Sequence, residues 1–240
     1  MLTHLIFDIF AAATCVGLIL TCERFWMPDQ PKSPFRVGGS YFPVLGLGIL
    51  LGSVVLGSAN LWLTGIPAIG RSILGALVGG VLAVEVYKTR RGITGSTGVI
   101  LAPGFAGLVA VGRIGCALSG LEDNTYGTPT ALPWSQDLGD GILRHPVAAY
   151  ESLTMAAFLA YALWAIARKD RYFLRHGFYL MVSTYAAQRF LWEFLKPYAA
   201  VIGPFNLFHL ACLGLLAYAV TMIRRSRNEP TAAGQPSDAA

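Results

Sequence analysis

Seven stretches of roughly 20 mostly apolar residues run along the chain, at about 4–22, 42–64, 69–87, 97–118, 146–167, 177–195 and 204–223. Short polar segments rich in glycine, proline and basic residues separate them. A helix needs about 20 apolar residues to cross the hydrocarbon of a bilayer, so the pattern predicts an all-α integral membrane protein with about seven transmembrane helices. The first stretch is expected to be a true span and not a cleaved signal peptide, because Met1–His4 supplies no basic leader. Residues 1–223 are expected to form a single membrane domain. The polar, Ala-, Pro- and Ser-rich stretch 224–240 is expected to be a disordered tail.

Composition agrees. Of 240 residues, 55% are hydrophobic and 13% charged, against about 25% charged in ordinary soluble domains. That argues against a soluble enzyme and a disordered chain. The excess of 18 Lys and Arg over 13 Asp and Glu is small, and in a chain of this type it reflects basic cytoplasmic loops and not nucleic-acid binding. Four cysteines without a CxxC spacing suggest neither a disulfide framework nor a metal site. Cys15, Cys22 and Cys212 lie in apolar runs and are expected to pack as small hydrophobes.

The basic residues also orient the chain. Arg24, Lys32, Arg36, Lys88, Arg90, Arg91, Arg168, Lys169, Arg171, Arg175, Arg224, Arg225 and Arg227 all fall on one side if there are seven spans. The positive-inside rule then puts the N-terminus outside and the C-terminus in the cytoplasm. Five cations break this pattern: Arg71, Arg113, Arg144, Arg189 and Lys196, all at or near the outer ends of spans. A charge in the hydrocarbon costs at least ~2.5 kcal/mol and usually marks a paired or functional site. Arg189, Glu193 and Lys196 stand at i, i+4 and i+7, one face of a helix. A structural ion-pair stripe explains that face alone. Cations reaching the same depth from four segments point further, to a site for an anion, and the planar donor fork of arginine suits a lipid phosphate.

Three other segments carry candidate chemistry. Gly112-Arg113-Ile114-Gly115-Cys116 sets glycines around an arginine, where the backbone can approach a headgroup or, alternatively, another helix. The loop from Ser119 to Trp134 holds Glu122, Asp123, Asn124, Tyr126 and Gly127, and a long loop in a compact membrane protein is more often functional than filler. Arg144-His145-Pro146 opens the fifth span, with Tyr150 and Glu151 about a turn inside. Gly48-x-x-x-Gly52 and Gly75-x-x-x-Gly79 are read as helix packing. His209 is read as a packing histidine, and Glu85 as a partner for Lys88 at i+3.

From about Gly70 to Lys196, these segments in this order resemble the prolipoprotein diacylglyceryl transferases. That resemblance implies a multi-pass enzyme of the bacterial inner (plasma) membrane that acts in lipoprotein biosynthesis. It would move a diacylglyceryl group from phosphatidylglycerol to the lipobox cysteine of a prolipoprotein signal peptide, releasing glycerol phosphate, without metal or other cofactor and without nucleic acid. It further implies that Arg113 and Arg189 match the family's essential arginines, that Gly112, Gly115 and Gly127 match its signature glycines, and that Glu122 matches the signature acid. Glu193 matches the acid one turn after the second arginine. The catalytic set is then Arg113, Arg189, His145 and Glu122, with His145 preferred as base over Glu122 and Glu151 because an imidazole titrates near ~6.5. Gly112, Gly115, Gly127, Tyr126, Arg144, Tyr150, Glu151, Glu193 and Lys196 are expected to bind substrate.

The chain departs from the family pattern in three places, one being that the aromatic motif of the family's first span is not recognisable. The family has a His-Gly-Gly in the third span where this chain has Leu74-Gly75-Ala76, and its signature asparagine after Gly115 is here Cys116. A diverged paralogue that binds anionic phospholipid but uses another acceptor is therefore an alternative, and a small transporter or scramblase is a second. A permeation path needs polar groups through the full depth, and the five exceptional charges lie at one side only.

Overall fold

The structure, a computed structural model, describes residues 2–28, 30, 32–123 and 125–228; the side chains of 2–4, 122–123 and 227–228 lie outside that description. Among the described residues, seven helices of 19–23 residues form the body: α1 (Leu2–Thr21), α3 (Tyr41–Leu63), α4 (Ile73–Arg91), α5 (Leu101–Ser119), α6 (Val147–Ala167), α7 (Arg171–Glu193) and α8 (Leu207–Asn228). A π-helical turn (Cys22–Trp26) extends α1, and one helical turn, α2 (Pro34–Val37), precedes α3. Each long helix coincides with one expected apolar stretch. The ends differ where capping decides them. Ser72 accepts the Gly75 amide at 3.2 Å and starts α4 four residues late, leaving Arg71 exposed in the preceding loop. Gly92, at φ 66°, ends α4 in the left-handed conformation that glycine adopts freely. Asp170 accepts the Phe173 amide at 2.7 Å and starts α7 six residues early.

By length and composition, five helices are apolar enough to cross a membrane: Leu5–Trp26, Tyr41–Leu63, Leu101–Ser119, Val147–Ala167 and Leu207–Ser226. The chain is thus an all-helical protein with the makings of an integral membrane protein. Helix α4 falls short because it ends in Lys88, Arg90 and Arg91, and α7 because its inward face carries His176, Gln188, Arg189 and Glu193. Helix α8 continues through Asn228, five residues into the stretch expected to be tail; 229–240 lie outside the described residues.

The helices pack in the pairs α3–α4, α1–α5, α5–α6, α6–α7 and α7–α8. The two GxxxG stretches face each other, as read from the sequence. A Cβ on Gly48 would stand 2.5 Å from the Gly79 carbonyl oxygen, and one on Gly52 would meet the Gly79 Cα at 2.7 Å. Only glycine permits backbones this close. Helix α5 meets α1 in the same manner. A side chain on Gly104 would strike Ile19, one on Gly107 would strike Leu18, and one on Gly115 would strike Phe7.

Between α5 and α6 the chain makes a 3-10 turn, Gly120–Asp123, and a two-residue hairpin in which β1 (Gln136–Asp137) pairs antiparallel with β2 (Leu143–Arg144). Asp137 ties the hairpin turn by accepting the Gly139 and Gly141 amides at 2.8 and 3.0 Å. This hairpin delivers Arg144 and His145 to the start of α6.

Candidate active site

Helices α5, α6 and α7 bring five charged side chains together inside the bundle. Glu151, in the second turn of α6, is the hub. Its Oε1 accepts from Arg189 at 2.5 Å and from Lys196 Nζ at 2.8 Å, and its Oε2 meets the Nε of Arg113. Arg189 also reaches Glu193 Oε2 at 3.0 Å across one helical turn. Glu193 Oε1 in turn accepts from Asn206 Nδ2 at 2.9 Å. All five charged residues are buried. Three cations against two carboxylates leave one positive charge in excess. Such a cluster is weak support for stability, because desolvation offsets the Coulombic gain, but removing one partner strands the others and costs about 3–5 kcal/mol.

The inward face of α7 continues this polar lining. The Tyr185 hydroxyl, both ends of the Gln188 amide, Arg189 Nε and the Trp192 indole nitrogen are buried and have no hydrogen-bond partner among the described residues. Buried polar atoms are nearly always paired with protein, water or ligand. This row at i, i+3, i+4 and i+7 therefore marks a surface that a polar group completes.

A second polar cluster lies beside the first. Arg144 is held bidentately by Asp140 at 2.6 and 2.7 Å and sits over the Tyr126 ring at 5.2 Å. Arginine beside it holds the Asp140 carboxyl below the ordinary carboxylate range. Arg144, His145, Tyr126, Gly127 and Cys116 line one small pocket. A side chain on Gly127 would collide with the His145 backbone, so this glycine sets how closely the loop packs on His145. The loop is anchored from Thr128 to the Leu195 carbonyl at 2.7 Å and from His145 to the Thr128 carbonyl at 3.0 Å. Tyr150 accepts from the Trp134 indole at 2.7 Å and packs, tilted, against the Trp192 ring at 5.1 Å. The Tyr150 ring stands 6.4 Å from His145, whose Nδ1 is buried with no hydrogen-bond partner among the described residues.

Several sequence expectations change here. Arg113, Arg189 and Lys196 converge as one group, but Arg144 belongs to the neighbouring pocket and Arg71 is exposed. A single cavity lined by Arg113, Arg144 and Arg189 together is not what the chain builds, because Asp140, four residues before Arg144, captures it locally. Gly115 and Gly112 do not face the cluster; they face Phe7 and Ala11 of α1, which is the helix-packing role. The side chain of Glu122 lies outside the described residues. Leu74, at the position of the family histidine, is 1% exposed and belongs to the hydrophobic core.

Sequence reasoning missed Asn206. Its Oδ1 caps α8 through the His209 amide at 3.1 Å while its Nδ2 holds Glu193. The signal was present, as an asparagine directly before the last apolar run. Tyr185 and Gln188 were legible only as neighbours of Arg189 on the same helical face. His209 packs among Phe190, Phe194 and Phe205, as read, with Nδ1 directed to Asn206.

Comparison with known proteins places the chain in a family. A family model described as prolipoprotein diacylglyceryl transferase matches residues 9–225. The phosphatidylglycerol–prolipoprotein diacylglyceryl transferase of Streptomyces griseus is 35% identical over 136 residues, 53% of this chain and 40% of that protein. The Cutibacterium acnes protein of the same name is 31% identical over 167 residues, 64% of this chain and 54% of that protein. Its Clostridioides difficile namesake is 28% identical over 168 residues, 66% and 64% of the two chains. The chain thus spans about half the length of the curated relatives it matches. With a family match over nearly the whole described bundle, and with the arginines of that resemblance meeting at one buried carboxylate, the chain belongs to the prolipoprotein diacylglyceryl transferase family.

Proposed function

We propose that this chain transfers the diacylglyceryl group of phosphatidylglycerol to the lipobox cysteine of prolipoprotein signal peptides, in a bacterial inner membrane, as a seven-span protein with its N-terminus outside. The observation that carries this reading is the buried excess of positive charge at Arg113, Arg189 and Lys196 around Glu151. The relatives' printed names supply the reaction.

In the reaction the cysteine sulfur forms a bond to the glyceryl carbon, and the carbon–oxygen bond to phosphate breaks. The electron pair leaves with glycerol phosphate, and the thiol proton passes to a base. Charge gathers on the departing phosphate, so donors fixed in advance around it lower the barrier most. Arg113 and Arg189 fill this role. Glu151 holds both in place, and its oxygens are occupied by cations, so it positions and does not deprotonate. His145 is the proposed base, with its unpartnered Nδ1 in a pocket that also contains Cys116. Tyr126, Gly127, Arg144, Tyr150, Glu193 and Lys196 shape and support the two neighbouring clusters, and Glu122 is assigned to the adjoining loop.

One observation favours a second reading. Leu74 puts an apolar side chain where the family histidine is expected, which fits a diverged paralogue that holds anionic lipid but uses another acceptor. The deciding experiment incubates purified protein with labelled phosphatidylglycerol and a lipobox peptide, and measures label on cysteine and released glycerol phosphate. Transfer that disappears in Arg113→Ala supports the reading. Lipid binding without transfer to any thiol favours the paralogue, and no lipid binding rejects both. A reporter fused after Arg227 should behave as cytoplasmic, and one inserted in the 123–129 loop as external.

A further inference from the structure

An apolar cavity lies apart from the charged cluster. It measures about 300 Å³ and is lined by α1, α3, α4, α5, α7 and α8. Its walls are apolar and its shape follows one helix. Ile73, Ala76, Leu77, Gly80, Val81 and Val84 line it at i, i+3, i+4, i+7, i+8 and i+11 of α4, and the same face continues to Glu85 and Lys88. From Ile73 to Lys88 that is about 22 Å at 1.5 Å per residue. The cavity is therefore long, and its volume is too small to hold a helix of about 10 Å diameter over that length.

One end is closed by polar groups. Lys88 Nζ donates to Glu85 Oε1 at 2.8 Å, the Tyr218 hydroxyl donates to the same oxygen at 2.7 Å, and the Tyr41 hydroxyl bonds Thr97 Oγ1 at 3.0 Å. Lys88, Tyr41 and Thr97 are buried. These groups satisfy one another and offer an apolar chain nothing but a wall.

Toward its other end the cavity approaches the charged cluster along α5 and α7 and stops short of it. On α5 its lining residues Leu101 and Leu108 lie twelve and five residues before Arg113, about 18 and 8 Å along the axis. On α7, Met181 lies eight residues before Arg189, about 12 Å. Phe105, another lining residue, packs edge-on against Tyr185 at 5.1 Å, one turn from Arg189. A lipid whose phosphate sits at Arg113 and Arg189 has the near end of this apolar channel about 8 Å away along α5 and about 12 Å away along α7.

We propose that this channel takes one fatty acyl chain of the donor lipid and that the Glu85–Lys88–Tyr218 wall limits the chain length accepted. The proposal rests on the assignment of lipid phosphate to the arginine pair. A chain that fits buries all its methylenes. A chain that is too long must fold back or displace the ion pair, so discrimination against each extra methylene is worth up to about fourfold.

The test supplies the full chain, in detergent micelles, with a series of phosphatidylglycerols that share one headgroup and differ in acyl length, in competition. Transfer to a lipobox peptide is read by mass spectrometry of the modified peptide. Wild-type protein is expected to show a cut-off in chain length. Val84→Phe, which fills the channel near the wall, should move the cut-off to shorter chains. Leu101→Ala, which opens space at the same end, should move it to longer ones and serves if the larger side chain prevents folding. A profile that is flat in wild type, or unchanged in a folded variant, overturns the proposal while leaving the phosphate assignment standing. Absence of transfer at every chain length instead rejects the functional reading on which it rests.

Discussion

Two helix seams in this protein solve the same problem in opposite ways. Where α3 meets α4, glycines at 48, 52, 75 and 79 let the backbones touch, and no side-chain charge is involved. Where α5, α6 and α7 meet, Arg113, Glu151 and Arg189 cross the seam as buried ions. Lipid offers little hydrophobic drive for helices to associate, so close van der Waals contact suffices for the first seam. The second is expensive by comparison, since each ion loses its hydration. A seam meant only to hold helices together has the cheaper glycine solution available, and this chain uses it twice, at α3–α4 and at α1–α5. The charged seam therefore points to function and the glycine seams to architecture.

The comparison can be broken by exchanging the two kinds of loss. The largest effect is expected at Glu151→Ala, which strands Arg113 and Lys196 and leaves Arg189 only Glu193. Thermal unfolding of the purified protein should show a loss of about 3–5 kcal/mol, and activity should vanish with it. A stable Glu151→Ala protein would mean the cations reach solvent or find other partners.

Arg113→Ala and Arg189→Ala come next, and turnover per folded molecule separates their effect on function from their cost in stability. Each removes a preorganised donor from the leaving phosphate, and losing one such donor lowers turnover by about 10²–10³-fold. Arg→Lys should recover little, since a point charge does not reproduce the planar fork. Full recovery by lysine would reduce the site to simple charge.

Gly52→Val tests the opposite seam. Its Cβ would press on the Gly79 backbone at 2.7 Å, and backbone cannot move aside as a side chain can. Overpacking of this kind costs about 1–3 kcal/mol. Thermal unfolding should register it, while the transfer rate per folded molecule stays near wild type. A selective loss of rate would place function in the glycine seam.

The smallest effect is expected at the hairpin. Arginine at 144 holds the Asp140 carboxyl below its ordinary value, so the pair contributes at neutral pH and is lost as pH falls through that lowered value. Limited proteolysis of the 134–144 hairpin should therefore speed up only in acid, and Asp140→Asn should remove the pH dependence. Unchanged protection in acid would mean that the backbone turn at Asp137, not the ion pair, secures the hairpin.

Much of this contrast was legible in the sequence. Each long helix announces itself as an apolar run, the GxxxG spacings announce the glycine seam, and Arg189 and Glu193 reveal their shared face by i, i+4 spacing. Pairing between helices is less legible, because it depends on rotation about each axis. Arg113 and Arg189 were expected to meet through a ligand, and they meet through Glu151, 38 residues from both. Arg144 looked equivalent to them until the hairpin turned Asp140 back on it. Gly112 and Gly115 flank an arginine in sequence, yet on a helix three and four residues are needed to share a face, so they turn to α1. Asn206 was hidden because an asparagine before an apolar run is ordinarily only a cap.

The most direct test is a double-mutant cycle on Arg113 and Arg189, read as transfer of label from phosphatidylglycerol to a lipobox peptide. Two arginines that share Glu151 and one phosphate act as a unit, so the double Ala variant should be scarcely slower than either single variant. Losses that multiply, each arginine contributing independently of the other, would contradict the account of a single site organised by Glu151.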